Sequence, residues 1–266
     1  MDGAIGVFDS GIGGLTVLKE IMRILPHEDT IYLGDTARVP YGIKSADTVI
    51  RYSLENARFL TKRNIKILVV ACNTASAVAL PALRERYSLP IIGVIEPGAR
   101  KAVKVTKKKR VGVIGTKRTI KSRAYSNSIK GMDPKIEVIG QACPLFVPLA
   151  EEGWTDNDIA YLTAKKYLHG LKDAYIDTLI LGCTHYPLLK GVIKEVVGDS
   201  VLLVDSAEEM AVEVTRILKV DNLLSTKDKN GFHNFFVTDA PDTLVREGED
   251  FLEGVDLRGV KQVSVS

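Results

Sequence analysis

Eight short runs rich in Val, Ile and Leu recur along this chain, and several are apolar at successive positions rather than alternate ones. They read "AIGVFD" (4–9), "TIYLGD" (30–35), "IKILVVA" (65–71), "PIIGV" (90–94), "RVGVIGT" (110–116), "KIEVIG" (135–140), "DTLILG" (177–182) and "VLLVD" (201–205). A strand apolar on both sides must be covered on both sides, which happens in parallel sheets flanked by helices. Between the runs lie segments with helical periodicity, among them "GLTVLKEIMRIL", "ADTVIRYSLENARFLTKR", "TASAVALPALRERY", "RTIKSRAYSNSIK" and "DIAYLTAKKYLHGL". The pattern predicts an α/β chain built on mostly parallel sheets. In such sheets ligands bind beyond the carboxyl ends of the strands, so the residues just after each run matter most.

Those residues are small, hydroxylic or acidic: "DSGIGG", "GDTARVPYG", "ACNTAS", "EPG", "GTKRT" and "GCTHYP". Two of the units match each other. "ILVVACNTAS" (67–76) and "TLILGCTHYP" (178–187) each run from an apolar strand through a small residue to a cysteine, two polar residues and then a helix. Their cysteines, Cys72 and Cys183, lie 111 residues apart, about the size of a small domain. The expectation is two similar α/β domains, each offering one cysteine to a shared cleft. "NGFHNFFVTD" and "PDTLVREGEDFLEGV" add one more strand and a helix that return to the first half. The first domain is then discontinuous, 1–94 plus 208–266, with Asp9 and Cys72. The second is 95–207, with Glu151, Cys183 and His185.

Composition narrows the function. Of 266 residues, 36 are basic and 33 acidic, and the net charge of +3 leaves no footprint for nucleic acid or a membrane surface. The basic run "KKKR" (107–110) sits between a helical stretch and a strand and reads as a solvated helix end. No apolar run is long enough to span a bilayer, and "MDGAIGVFDSG" enters a strand at once, without the form of a signal peptide. Three widely spaced cysteines argue against a disulfide framework and for a reducing, cytosolic setting in which cysteines act as thiols.

A cysteine between a strand and a helix feels the positive end of the helix dipole, which favours thiolate and draws the pKa toward neutrality. Such a thiol serves as base or acid. A free cysteine alone is often only a small buried hydrophobe, but two in matching contexts point to function; Cys143, in "GQACPLF", lacks the context and reads as structural. His185 and Asp9 also stand at strand ends and can tune or relay a thiol's proton. Alternatively, Asp9 caps the helix beginning near Gly14. "DSGIGG" departs from a dinucleotide fingerprint at Thr16, although Asp35 falls about where a ribose-binding acid would. The glycines more readily bring backbone N–H groups to a small anion, and Ser10, Asn73, Thr74, Thr184 and the turn "PYG" (40–42) add donors for a carboxylate. Zinc held by Cys72, Cys183 and His185 ranks below the thiol reading, because no CxxC or HExxH pattern is present.

Taken in order, "GVFDSGIGGLTVL", "YLGDTARVPYG", "ACNTAS", "GVIEPG", "GVIGT", "PLFVPLAEEG" and "LGCTHYPLL" resemble the glutamate racemases of the cofactor-independent aspartate/glutamate racemase family, from about residue 4 to about residue 206. The resemblance implies two α/β domains related by a pseudo-twofold axis, with the active site in the cleft between them. It implies interconversion of L- and D-glutamate without cofactor or metal, a cytoplasmic homodimer, and supply of D-glutamate for peptidoglycan. Some members carry an N-terminal extension tied to activation by a cell-wall precursor, and here the first motif begins almost at the first residue. Cys72 and Cys183 would be the acid/base pair, with Asp9, His185 and Glu151 (or its neighbour Glu152) assisting. Asp9, Ser10, Tyr41, Gly42, Asn73, Thr74, Thr184 and His185 would contact substrate, Cys183 deprotonating L-glutamate and Cys72 D-glutamate. The chemistry agrees, since inverting a carbon requires a proton to leave one face and another to arrive on the opposite face, and two fixed thiols achieve this without moving. The alternatives are a racemase of aspartate or another acidic amino acid, and a non-catalytic amino-acid or nucleotide binder, which would not need two thiols.

Overall fold

The computed structural model describes residues 3–252, 255, 257 and 259–265. The strands form two sheets in which every pairing is parallel. The first contains β1 (Ala4–Asp9), β2 (Thr30–Gly34), β3 (Ile65–Val70), β4 (Ile91–Gly93), β9 (His233–Val237) and β10 (Lys261–Gln262), in the order β10-β9-β2-β1-β3-β4. The second contains β5 (Arg110–Gly115), β6 (Glu137–Ala142), β7 (Thr178–Gly182) and β8 (Leu202–Asp205), in the order β6-β5-β7-β8.

Period-two alternation divides each sheet's side chains between two cores. From β1 to β3, Ile5, Val7, Tyr32, Ile67 and Val69 enter one cluster, while Phe8, Ile31, Leu33, Leu68 and Val70 enter the other. Both faces are dry, which is why these strands read as continuous apolar runs. In the second sheet Leu179 and Leu181 face one core, and Val111, Val113 and Ile180 face the other.

Strand order reverses at equivalent places. β1 lies between β2 and β3, and β5 lies between β6 and β7. At such a reversal the connections leave in opposite directions and open a crevice beyond the strand ends. Cys72 follows β3 and Cys183 follows β7, so each thiol stands beside its sheet's reversal point.

The helices are α1 (Leu15–Ile24), α2 (Ala46–Thr61), α3 (Asn73–Val78), α4 (Leu80–Arg86), α5 (Ile95–Val105), α6 (Lys117–Ser122), α7 (Ala124–Met132), α8 (Phe146–Glu151), α9 (Asp158–Asp173), α10 (Lys190–Val197), α11 (Ser206–Val220) and α12 (Pro241–Phe251). Two segments expected as single helices are divided. The 74–87 stretch breaks at Ala79, because Pro81 has no N–H to give and its ring crowds the carbonyl one turn back. The 118–130 stretch breaks at Arg123, which is left-handed at φ 57°, where the Ser122 hydroxyl accepts the Ala124 N–H at 3.1 Å.

β6 begins two residues later than expected, because Asp133 Oδ1 accepts the Lys135 N–H and holds that end in a turn. β10 was not anticipated; two residues are too few to show periodicity. "HNFFV" and the segment from Pro241 form the expected strand and helix beside the first sheet. Met1, Asp2, Glu253 and Gly254, which belong to the N-terminal stretch and to the end of the expected final helix, lie outside the described residues. The "KKKR" lysines are exposed, and Asp177 accepts the Lys107 and Lys108 N–H groups. Among the described residues, no helix is long and apolar enough to cross a membrane.

One buried ion pair ties the late part of the chain to the first sheet. Lys66 Nζ lies 2.5 Å from Glu28 Oε2 and donates to the Leu223 carbonyl at 2.6 Å, while Glu28 Oε1 accepts the Ser225 N–H at 2.6 Å. Both side chains are almost completely buried. Removing one partner of such a pair strands the other's charge, at a cost of about 3–5 kcal/mol. Lys66→Ala should therefore lower the melting temperature by roughly 10 °C. Lys66→Met combined with Glu28→Leu should recover most of the loss by differential scanning calorimetry.

Candidate active site

The strand-end segments converge on a cavity of about 320 Å³. Its walls include Ser10 after β1, Tyr41 and Gly42 after β2, Cys72 to Thr74 after β3, Thr116 and Lys117 after β5, and Cys183 to His185 after β7. Both thiols therefore face one space, although they stand on different sheets. Cys143 is fully buried elsewhere in the second core, and its burial holds the thiol far above its ordinary range.

Each thiol has its own polar partner. Cys72 Sγ donates to Ser10 Oγ at 3.5 Å, and Cys183 Sγ lies 3.8 Å from His185 Nδ1. His185 continues the chain, with Nε2 at 3.0 Å from Glu151 Oε1. Of the two adjacent glutamates, then, Glu151 reaches the imidazole. Its carboxylate is 39% exposed, so a hydrogen-bonded path leads from a buried thiol to solvent.

The electrostatics depart from expectation. Cys72 is the N-cap of α3 and was expected to have a lowered pKa. Instead its pKa is pushed up to about 12, chiefly by burial and then by the charge of Asp9; the Ser10 and Ala75 hydrogen bonds oppose this without prevailing. Desolvation outweighs a single short helix's dipole. Asp9 is itself fully buried, which raises its pKa, against the opposing pull of His185 and the backbone N–H groups of Gly11, Gly14 and Ser10. Burial alone would also lower the pKa of His185, but its hydrogen bonds to Cys183 and Glu151 and their charges outweigh this and raise it to about 10. After Cys183, a turn and the 3₁₀ segment Tyr186–Leu189 precede α10, so the expected helix does not follow it directly.

Asp9 is not the N-cap of α1, which is Gly14, but its carboxylate faces the backbone N–H groups just ahead of that helix. Its Oδ2 accepts the Gly11 N–H at 2.9 Å, and its Oδ1 accepts from Thr184 Oγ1 at 3.5 Å. Thr16 Oγ1 also donates to the Thr184 carbonyl at 3.0 Å, which binds the first turn of α1 to the loop carrying Cys183. That approach requires a missing side chain. A Cβ at Gly13 would stand 2.5 Å from the His185 ring and from Thr184 Oγ1. Gly42 is likewise pressed against Thr116, whose Cβ would be 2.6 Å from any added methyl.

The expected substrate contacts all line the cavity except Asp9, which lies behind its wall. Tyr41 contributes differently from a simple donor. Its hydroxyl turns inward to Asp35 and Asn56, and Asp35 also takes both Arg38 Nε contacts at 2.8–2.9 Å and the Thr238 hydroxyl at 3.0 Å. Asp35 therefore anchors the "VPYG" turn. Thr116, Lys117 and an apolar wall of Pro144, Val147 and Pro148 were not anticipated. Thr116 did carry a signal, standing in "GTKRT" at the end of β5, and its hydroxyl meets Thr74 Oγ1 at 2.9 Å. Pro144 stands just beyond β6, whose end the sequence pattern places two residues too early, and Val147 and Pro148 enter from α8. Among the described residues, no group of three or more His, Cys, Asp or Glu side chains is arranged to hold a metal ion.

A sequence-family model described as Asp/Glu/hydantoin racemase matches residues 5–214. The chain is 62% identical over 262 residues to the glutamate racemase of Geobacter metallireducens, covering 98% of this chain and 97% of that one. Its structure resembles the crystal structure of a glutamate racemase isoform from Bacillus anthracis, at TM-score 0.94 and 44% identity, covering 98% of this chain and 97% of that one. It also resembles glutamate racemase from Francisella tularensis in complex with D-glutamate, at TM-score 0.93 and 41% identity over 99% and 98% of the two chains. The chain belongs to the Asp/Glu/hydantoin racemase family, on its glutamate racemase branch.

Proposed function

We propose that the cavity interconverts L- and D-glutamate by a two-base 1,1-proton transfer between Cys183 and Cys72, with no cofactor or metal taking part. The observation that carries this is the meeting of two thiols from different sheets at one cavity, each with its own proton-handling partner. Hydroxyls of Ser10, Thr74 and Thr184, the Asn73 amide and the Tyr41–Gly42 turn receive the substrate's carboxylates. Cys183, as thiolate beside the His185 cation, takes the α-proton of L-glutamate, forming S–H as C–H breaks. Cys72 is held as thiol by burial and gives its proton to the opposite face, leaving D-glutamate and a Cys72 thiolate beside Asp9.

The high pKa that burial imposes on Cys72 makes it a poor resting base and a ready acid. The hard step is the carbanion, because an α-proton is far less acidic than a thiol. Charge building toward the carboxylate is met by donors fixed in advance in a largely desolvated site. Between turnovers, Asp9 serves the Cys72 proton, while His185 and Glu151 serve that of Cys183.

Two α/β domains, 1–94 plus 208–266 and 95–207, would each bring one thiol to the cleft. The second cut falls just inside α11 and the first at the start of α5. We assign the enzyme to the cytoplasm as a homodimer supplying D-glutamate to peptidoglycan synthesis.

The test is incubation with L-glutamate, and in parallel L-aspartate, in D₂O with chelator present, following optical rotation and α-deuterium. Inversion and exchange of glutamate are expected, and their absence would sink the reading. Activity lost only with chelator would favour a metal, and faster aspartate turnover would move the substrate assignment. Replacing either thiol by serine should lower racemisation at least about a hundredfold; full activity of either single variant in both directions rules out two bases. The L-to-D rate should fall as pH rises past about 10, where His185 loses its proton and the Cys183 thiolate loses its counter-charge. Glu151 raises that pKa, so Glu151→Gln should move the falling limb to lower pH in a pH–rate profile.

A further inference from the structure

Asn73 opens α3 on the cavity wall and is 2% exposed, yet its amide nitrogen has no hydrogen-bond partner among the described residues. A buried donor left unmade loses its full hydration without return, so such a group marks a place where a ligand completes the bond. The other end of the same amide is taken. The Tyr125 hydroxyl donates to Asn73 Oδ1 at 2.6 Å, and Tyr125 is 3% exposed.

We infer that Tyr125 is a positioning residue, which occupies the Asn73 carbonyl so that the buried amide N–H₂ is left to donate to a carboxylate oxygen of the acidic substrate. An amide presents an acceptor or a donor according to which way it is turned, and only the donor end suits a carboxylate. A carbonyl turned to the cavity would repel it. Donation from Tyr125 fixes the oxygen, and the donor end is then left unbonded before substrate arrives. The amide's orientation is set in advance rather than chosen during binding, which removes that cost from the bound state.

The bond also spans the two halves. Asn73 directly follows Cys72 beyond the first sheet, whereas Tyr125 belongs to α7, beside the second. Separation of the halves would free the amide, so the carboxylate contact is complete only when the cavity is closed. The inference rests on the reading of the cavity as an acidic amino-acid site.

The experiment is a double-mutant cycle on the full chain, with glutamate binding followed by calorimetry and racemisation followed in both directions. Tyr125→Phe removes only the hydroxyl, and Asn73→Ala and Asn73→Ser remove the amide, the two versions guarding against a local disturbance of α3. Tyr125→Phe should weaken glutamate binding and raise KM about tenfold in both directions, with kcat within about threefold. In either Asn73 variant, adding Tyr125→Phe should change binding less than about twofold, because nothing remains to be oriented. A structural role alone would instead lower the melting temperature without this coupling. Unchanged Kd and KM in Tyr125→Phe, or additive effects in the double variants, would overturn the inference. Wild-type protein that binds glutamate without racemising it would refute the two-base reading while the binding cycle still decides the amide. Wild-type protein that binds no glutamate refutes both.

Discussion

Every feature of this fold follows from the need to cover both faces of two parallel sheets. With both faces occupied by side chains of the flanking helices, the sheets leave no flat surface on which polar groups can gather. What remains is the edge where the strands end, and parallel strands present all their carboxyl ends on the same side. Asp9, Cys72, Thr116 and Cys183 follow β1, β3, β5 and β7 or end them. When the two edges face each other, residues more than a hundred positions apart in sequence become neighbours around one cavity.

The consequence is a site where burial governs charge. Cys72 and Asp9 both shift toward their neutral forms because water is excluded from them, and the Cys72 thiol is raised further by the Asp9 charge. His185 is equally buried and goes the other way, since a thiol at one ring nitrogen and a carboxylate at the other more than offset its desolvation. The two thiols therefore stand in unlike surroundings. Cys72 has a hydroxyl and a buried acid; Cys183 has a base with an exit to solvent. That asymmetry suits a pair in which one member accepts a proton while the other holds one.

The backbone accommodates the site with very small tolerances. Gly13 admits the His185 ring, and Gly42 admits Thr116. The Asp35 cluster of Arg38, Tyr41, Asn56 and Thr238 fixes the turn that carries Gly42. Asp35 sits where spacing alone would place a ribose-binding acid, but its carboxylate is fully buried and used within the protein. The near-copies around Cys72 and Cys183 both end on the one cavity, but the local likeness is incomplete. Asn73 begins a helix at once, whereas Thr184 and His185 occupy a turn ahead of a 3₁₀ segment.

Strand periodicity, the residues at strand ends and the repeated strand–cysteine unit were readable from the sequence, because each depends on neighbours within a few positions. These determined the α/β class, the parallel sheets and most of the residues now found around the cavity. Only the tertiary structure decided which glutamate reaches His185, that Cys72 is raised rather than lowered, and that Tyr125 meets Asn73. A thiol's pKa depends on everything within several ångströms, including Asp9 from another strand, and a helix dipole inferred locally is one contribution among several. The partnership of Tyr125 with Asn73 crosses between the sheets. No spacing along the chain encodes such contacts, because they exist only after both halves have packed.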